Sequence, residues 1–181
     1  WVLMGKVALA DGLRRGELLG LAWEDVELGD GVTLHIRQQV QTINNRTQLT
    51  PLKTASSVRT IPAPAQLGDD FRRLHALQLE HHLSLGMAKP TLCFTSLAGT
   101  YRTPSHVTRW FGGVFKAAGI EGATLHTLRH TCGSVLLTMG YSVADVAAFL
   151  GHSTPTTTMN TYAHEQSDQL RSMADACGQM I

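Results

Sequence analysis

The sequence has no apolar run approaching the roughly 18 residues that a membrane span needs, and no signal-peptide pattern at its start. Charge is scarce: 16% of residues are charged against 43% hydrophobic, which excludes a charge-rich disordered segment and suits a soluble globule. Cysteine is scarce as well. Cys93, Cys132 and Cys177 are odd in number and widely spaced, so they form neither a disulfide framework nor a zinc pattern. Cys132 falls at a helical core position and reads as a buried thiol, and a reducing cytoplasm is the expected compartment. No internal repeat or low-complexity tract is present. An initiator methionine is also missing, since the chain opens on Trp1. We therefore expect a piece of a longer protein, and 181 residues suffice for one core and one domain.

The net charge of +1 is too small to point to nucleic acid, but acids are absent from two long stretches. Residues 31–62 carry Arg37, Arg46, Lys53 and Arg59 with no acid, and residues 89–120 carry Lys89, Arg102, Arg109 and Lys116 with none. The acids Glu24, Asp25, Glu27 and Asp30 sit together instead. Such segregation can build a basic face on a nearly neutral protein, and ordinary scatter gives the same pattern.

Residues 1–10 read as a buried helix, broken at Asp11-Gly12. A short second helix begins at Glu17, with Trp23 expected beneath it. Val32 to Val40 alternates and reads as one strand, with Thr42 to Thr50 as its partner and Ser57 to Ile61 as a third strand. Lys53 then falls in a turn between the second and third strands, from which an ammonium group can swing. From Gln66 to Leu85 the spacing predicts a helix with Leu67, Phe71, Leu74 and Leu77 inward. His81 and His82 near its end are adjacent and do not share a face, which makes a poor metal pair. Thr103-Pro104 opens a helix with Val107, Trp110, Phe111, Val114, Phe115 and Ala118 as its core stripe. Another helix opens near His126 and runs to Met139, with Leu128, Cys132, Val135, Leu136 and Met139 inward. Ser142 to Asp145 resembles a capping box for a helix ending at Gly151. Thr154-Pro155 starts one more short helix, and Gln166 to Cys177 is a final amphipathic piece.

The residues that carry chemistry are Arg14 with Glu17, His126 with Arg129, His152 and Tyr162. Two arginines can neutralise a phosphodiester with planar forks, two histidines can donate to its oxygens, and a phenol can bond to its phosphorus. His126 and Arg129 are three apart and point the same way from a first helical turn, where free amides favour anions.

In this order and at these intervals, Gly12-Leu-Arg14 with Glu17, Lys53 in its turn, His126-x-x-Arg129, Leu150-Gly-His152 and Tyr162 resemble the catalytic domain of tyrosine recombinases, the phage integrase family. Thr127 stands where relatives often carry an acid. The resemblance covers nearly the whole chain. It implies an α+β, mainly α-helical domain over residues 1–181, with a small three-stranded antiparallel sheet near residues 32–62 and an N-terminal DNA-clamping domain that this sequence lacks. It implies DNA strand cleavage and rejoining through a 3′-phosphotyrosine without metal or nucleotide cofactor. Tyr162 is then the nucleophile, Arg14, His126, Arg129 and His152 bind and stabilise the phosphate, Lys53 is the general acid, and Glu17 orients Arg14. Expected DNA contacts are Arg37, Arg46, Arg59, Arg102 and Arg109. Expected partners are double-stranded attachment sites, a homotetramer on DNA, and accessory directionality or architectural proteins, with no membrane. The setting is cytoplasmic and nucleoid-associated, in a bacterial or phage-infected cell. The final helix is often exchanged between neighbouring protomers.

Three other readings are open from the residues. One is a DNA-binding relative without catalysis, separated by covalent trapping on nicked DNA. Another is a metal enzyme, suggested by nine histidines and by the spacing of His126 and His130. No glutamate sits between those two as it does in zinc proteases, and activity in chelator excludes it. The last is a type IB topoisomerase, which relaxes any supercoiled DNA.

Overall fold

The structure, a computed structural model, describes residues 1–54 and 57–152. Tyr162, the short helix expected from Thr154 and the piece from Gln166 to Cys177 lie outside them. The fold is α+β and mainly helical, with small antiparallel sheets.

Helix α1 (Val2–Ala10) buries Leu3, Met4, Val7 and Ala8, the spacing of a single helix face. It ends at Asp11, whose amide bonds to the Val7 carbonyl, and Gly12 turns the chain with φ +59°. Helix α2 (Arg15–Gly20) follows at once and lies across strand β3 (Gln38–Ile43). A Cβ on Gly20 would sit 2.7 Å from Gln39 Cα, so only glycine permits this approach. Gln38 Nε2 fixes the contact by donating to the Gly20 carbonyl at 2.9 Å.

The expected single strand from Val32 to Val40 is two. Strand β2 (Val32–Ile36) pairs with β1 (Val26–Leu28) on one side and β5 (Arg59–Ala63) on the other. After Arg37 the chain changes partner, and β3 pairs instead with β4 (Arg46–Pro51) through the Asn44–Asn45 turn. The alternation runs on across the break because both halves bury one face, so it carries no mark of the change. Pro62 is accommodated inside β5 because that strand is a sheet edge, where a missing N–H is tolerated.

Helices α3 (Leu67–Ser84), α4 (Pro104–Ala117), α5 (Leu125–Thr138) and α6 (Val143–Leu150) start and stop close to where caps and glycines place them. Their stripes are narrower than expected. Leu77 is 55% exposed, Val114 42%, Val135 45% and Met139 70%, and Ala118 is also exposed. Helix α5 buries Cys132 as expected, and with it Leu125, Arg129 and Gly133, against α1. Trp23 packs on α3, its ring edge-on to Phe71 and stacked on His75 at 4.3 Å, with Nε1 donating to Gln78.

Among the described residues two apolar clusters result. The larger runs from α1 through β2 and α3 to α4, and includes Met4, Leu18, Leu34, Phe71 and Phe111. Each such burial contributes roughly 1.5–3 kcal/mol before entropy is counted. The smaller joins α5 to α6 through Cys132, Val146 and Leu150, and Phe149 touches both. Among the described residues no helix is long and apolar enough to cross a membrane.

Candidate active site

Arg14 occupies the cap position of α2, and Glu17 lies in the first turn with its side chain 1% exposed. Glu17 Oε2 accepts from the Arg14 amide at 3.0 Å, and Oε1 accepts from Arg14 Nη1 at 2.7 Å. The three-residue interval read from the sequence thus holds both the helix start and the guanidinium. Burial alone would raise the Glu17 carboxyl. The hydrogen bond and charge of Arg59, with those of Arg14, outweigh it and hold the group below its ordinary value.

Arg129 comes from the second turn of α5 and is 3% exposed. The helix is capped by Thr124, whose hydroxyl accepts from the His126 amide at 3.1 Å. Arg129 reaches back across the fold. Its Nη1 donates to the Gly12 carbonyl and its Nη2 to the Leu150 carbonyl at 2.8 Å.

The end of α6 explains where these groups converge. Gly151 takes the left-handed conformation, and the His152 amide turns back to the Ala147 carbonyl at 2.9 Å. The carbonyls of residues 149, 150 and 151 then project from the negative end of the helix. Arg59 Nε takes Phe149 at 3.0 Å, Arg129 Nη2 takes Leu150, and Arg14 Nη2 takes Gly151 at 2.6 Å. Three arginines, remote in sequence, therefore meet on three consecutive carbonyls, a placement that the helix dipole also favours.

Arg14, His126 and Arg129 line one cavity of about 410 Å³, together with Arg15, Thr108 and Thr124. Arg15 Nη1 donates to Thr108 Oγ1 at 2.6 Å. Arg14 also forms the wall of a second cavity of about 200 Å³ with Lys53, Thr54 and Gly151. Lys53 is exposed on the β4–β5 connection and so faces the same arginine from the other side. His152 is half-buried. Burial, then the charges of Arg129, Arg14 and Arg59, lower its pKa to about 4. His126 is lowered as well, by burial and then by His130, Arg129 and Arg14. Its Nε2 lies 3.1 Å from that of His130, so one of the two rings carries the shared proton. The shift at His152 favours its neutral imidazole at neutral pH.

The expected DNA contacts divide. Arg46 and Arg109 are exposed. Arg37 is exposed but paired with Asp25 at 2.8 Å, and Arg102 lies over the Trp1 ring at 4.4 Å. Arg59 does not belong among them. Its side chain is 8% exposed and bonded to Glu17, Ser57 and Phe149, so burial takes it from the surface. Arg15, Thr108 and Thr124 were not singled out from sequence, although Thr124, two residues before His126, is a cap signal. Among the described residues no three His, Cys, Asp or Glu side chains gather as a metal site.

The phage integrase family model matches residues 2–169. A "tyrosine recombinase XerC-like" protein of Caldanaerobacter subterraneus subsp. tengcongensis is 29% identical over 173 residues, taking in 87% of this chain and 44% of that protein. Prophage integrase IntR of Escherichia coli strain K12 is 31% identical over 166 residues, with 82% and 39% covered. The chain spans less than half the length of these two relatives. Among solved structures, the Tn1549 transposon integrase in complex with transposon right end DNA has a TM-score of 0.78 at 24% identity, over 97% of this chain and 58% of that one. XerA recombinase has a TM-score of 0.70 at 24% identity, over 94% and 55%. These last two likenesses are of fold.

Proposed function

The chain belongs to the phage integrase family, and on that premise we propose that it is the strand-cutting domain of a site-specific DNA recombinase. The observation that carries the reading is the single cavity shared by Arg14, His126 and Arg129. A phosphodiester gathers negative charge on its non-bridging oxygens during in-line attack. Fixed donors aimed there stabilise the transition state, each worth about 10²–10³ in rate.

Arg14 supplies a fork, and Arg129, held by the Gly12 and Leu150 carbonyls, adds its charge at the wall of the same cavity. His152 adds an N–H donor. Tyr162 Oη attacks phosphorus and the P–O5′ bond breaks. A free phenol ionises at about 10, and a positively charged site favours its deprotonation. The departing 5′-oxygen takes a proton from Lys53, and a ring nitrogen of His126 accepts the phenolic proton. The product is a 3′-phosphotyrosine and a free 5′-hydroxyl. Attack by a 5′-hydroxyl reverses the steps and restores a phosphodiester, so rejoining needs no ATP. Arg46 and Arg109, both exposed, are the cations we assign to flanking phosphates. The duplex attachment site is the substrate, and four protomers act on two paired sites, with accessory proteins setting direction. The XerH recombinase and lambda integrase structures, one bound to a palindromic difH substrate and the other a dimer bound to a COC′ core site, support DNA as the partner.

The test is a nicked duplex carrying the attachment site of the element that encodes the chain. The wild type is expected to form a covalent protein–DNA band. Tyr162→Phe forms none, and Arg14→Ala forms it about 10²-fold more slowly or worse. No band with the wild type, or an undiminished band from Tyr162→Phe, refutes the assignment.

A further inference from the structure

We propose that Arg59 is a positioning residue of this site, the clamp that fixes Arg14, the Lys53 connection and the His152 end of α6 in one geometry. The inference rests on the strand-cutting function proposed above.

Arg59 joins three separate parts of the chain. Nη2 donates to Glu17 Oε2 at 3.0 Å, Nη1 to the Ser57 carbonyl at 3.1 Å, and Nε to the Phe149 carbonyl at 3.0 Å. Ser57 closes the Lys53 connection, where its hydroxyl lies 2.8 Å from that of Thr54. Phe149 is in the last turn of α6, three residues before His152. Glu17 is the carboxylate that holds Arg14. Its two oxygens are divided, with Oε1 on the Arg14 fork and Oε2 shared by Arg59 and the Arg14 amide.

A guanidinium is suited to this task and an ammonium is not. Its donors leave a rigid plane in three fixed directions, so one side chain can hold three acceptors in a set relation. Arg59 lines neither cavity, and its side chain is 8% exposed, so it does not reach substrate. Its fit is close: a Cβ on Gly151 would lie 2.7 Å from Nη1. Arg14 is different, with 38% of its side chain exposed and its aim dependent on Glu17 and the Gly151 carbonyl. Without Arg59, Glu17 loses one of the bonds that fix its rotation, and the end of α6 loses one of its three arginine caps. The Arg14 fork then loses its alignment, although its charge is intact.

The test compares wild type, Arg59→Met, Arg59→Lys and Arg14→Ala on the nicked attachment-site duplex. Each is run with an ordinary phosphodiester and with a methylphosphonate at the cleaved position. A methylphosphonate has no negative charge, so alignment of a charge-neutralising fork matters less to it. Covalent-adduct rate, DNA Kd and a circular-dichroism melt are recorded. Arg59→Met is expected to slow adduct formation on the phosphodiester by about 10²-fold, the size of a misalignment effect. Its Kd stays within about twofold, and most of the deficit disappears on the methylphosphonate, as it does for Arg14→Ala. Arg59→Lys shows the same pattern, and it carries the comparison if the methionine variant fails to fold. Wild-type rates in both variants overturn the proposal, and so does an equal deficit on the two substrates, which marks a merely structural role. If wild type makes no adduct, or Arg14→Ala matches wild type, the underlying function is wrong and this inference falls with it.

Discussion

Replacing Asp11 with asparagine should stabilise the protein, and more so as pH rises. Asp11 is 0% exposed, and neither carboxyl oxygen has a hydrogen-bond partner among the described residues. Burial raises its pKa from 3.8 to about 7. Between those values the native state holds a proton that the unfolded chain has already released. Stability therefore falls as pH rises through the window and levels off above about 7. At about 1.4 kcal/mol for each tenfold change in proton affinity, the accumulated loss is roughly 4 kcal/mol. Cys132 is pushed up to about 11 by burial and then by Asp11, so it stays a thiol throughout. His152 works in the opposite sense. Its imidazole charges near 4 in the native state instead of 6.5, so its contribution grows as pH rises between those values. In wild type the two slopes oppose each other below 6.5. The difference between Asp11→Asn and wild type isolates the carboxyl. Urea unfolding of both proteins from pH about 4 to about 8 measures it. The gap should be small at the acid end and widen by several kcal/mol at the other. A gap that stays constant with pH, or a variant no more stable than wild type at pH about 8, refutes the account of Asp11 as a buried group that ionises at a loss.

Two further substitutions probe the frame around the site. Gly12→Ala places a Cβ 2.3 Å from Leu150 Cδ2 and forces a side chain into φ +59°. The left-handed penalty and the overpacking together should remove about 2–5 kcal/mol, read as a lower urea midpoint, and a loss under about 1 kcal/mol contradicts the packing. Gly113 lies inside α4 with nothing near its missing Cβ. Gly113→Ala should raise stability by about 1 kcal/mol and the melting temperature with it, and an unchanged or lower melt counts against a solvent-facing position.

The sequence was most legible where a local rule decides. Thr103-Pro104 and Ser142 mark the starts of α4 and α6, and the Ser142 hydroxyl does accept from the Asp145 amide at 3.1 Å. Arg14 and Glu17 are three apart beside the Gly12 turn, an interval that suggests an arginine held by a carboxylate. What stayed hidden depends on distant partners. The split at Arg37 is invisible because burial alternates through it while the neighbouring strand changes. Arg59 reads as one more cation in an acid-free stretch, and only the approach of residue 149, ninety positions on, draws it inside. Val135 and Met139 fit a helical stripe, but α5 meets α1 on a narrower face. Asp11 beside Gly12 looks like an ordinary turn, and its enclosure comes from tertiary packing.

The row of carbonyls at the end of α6 also bears on how the chain is made. Its three arginine partners lie 137, 90 and 21 residues earlier. A ribosome delivers the N-terminal part first, so Arg14 and Arg59 leave the exit tunnel long before the atoms that will anchor them. Until residue 151 emerges, a nascent chain carries those cations with Glu17 as their shared partner but without the end of α6. A message truncated upstream of α6 would yield a basic but unassembled polypeptide.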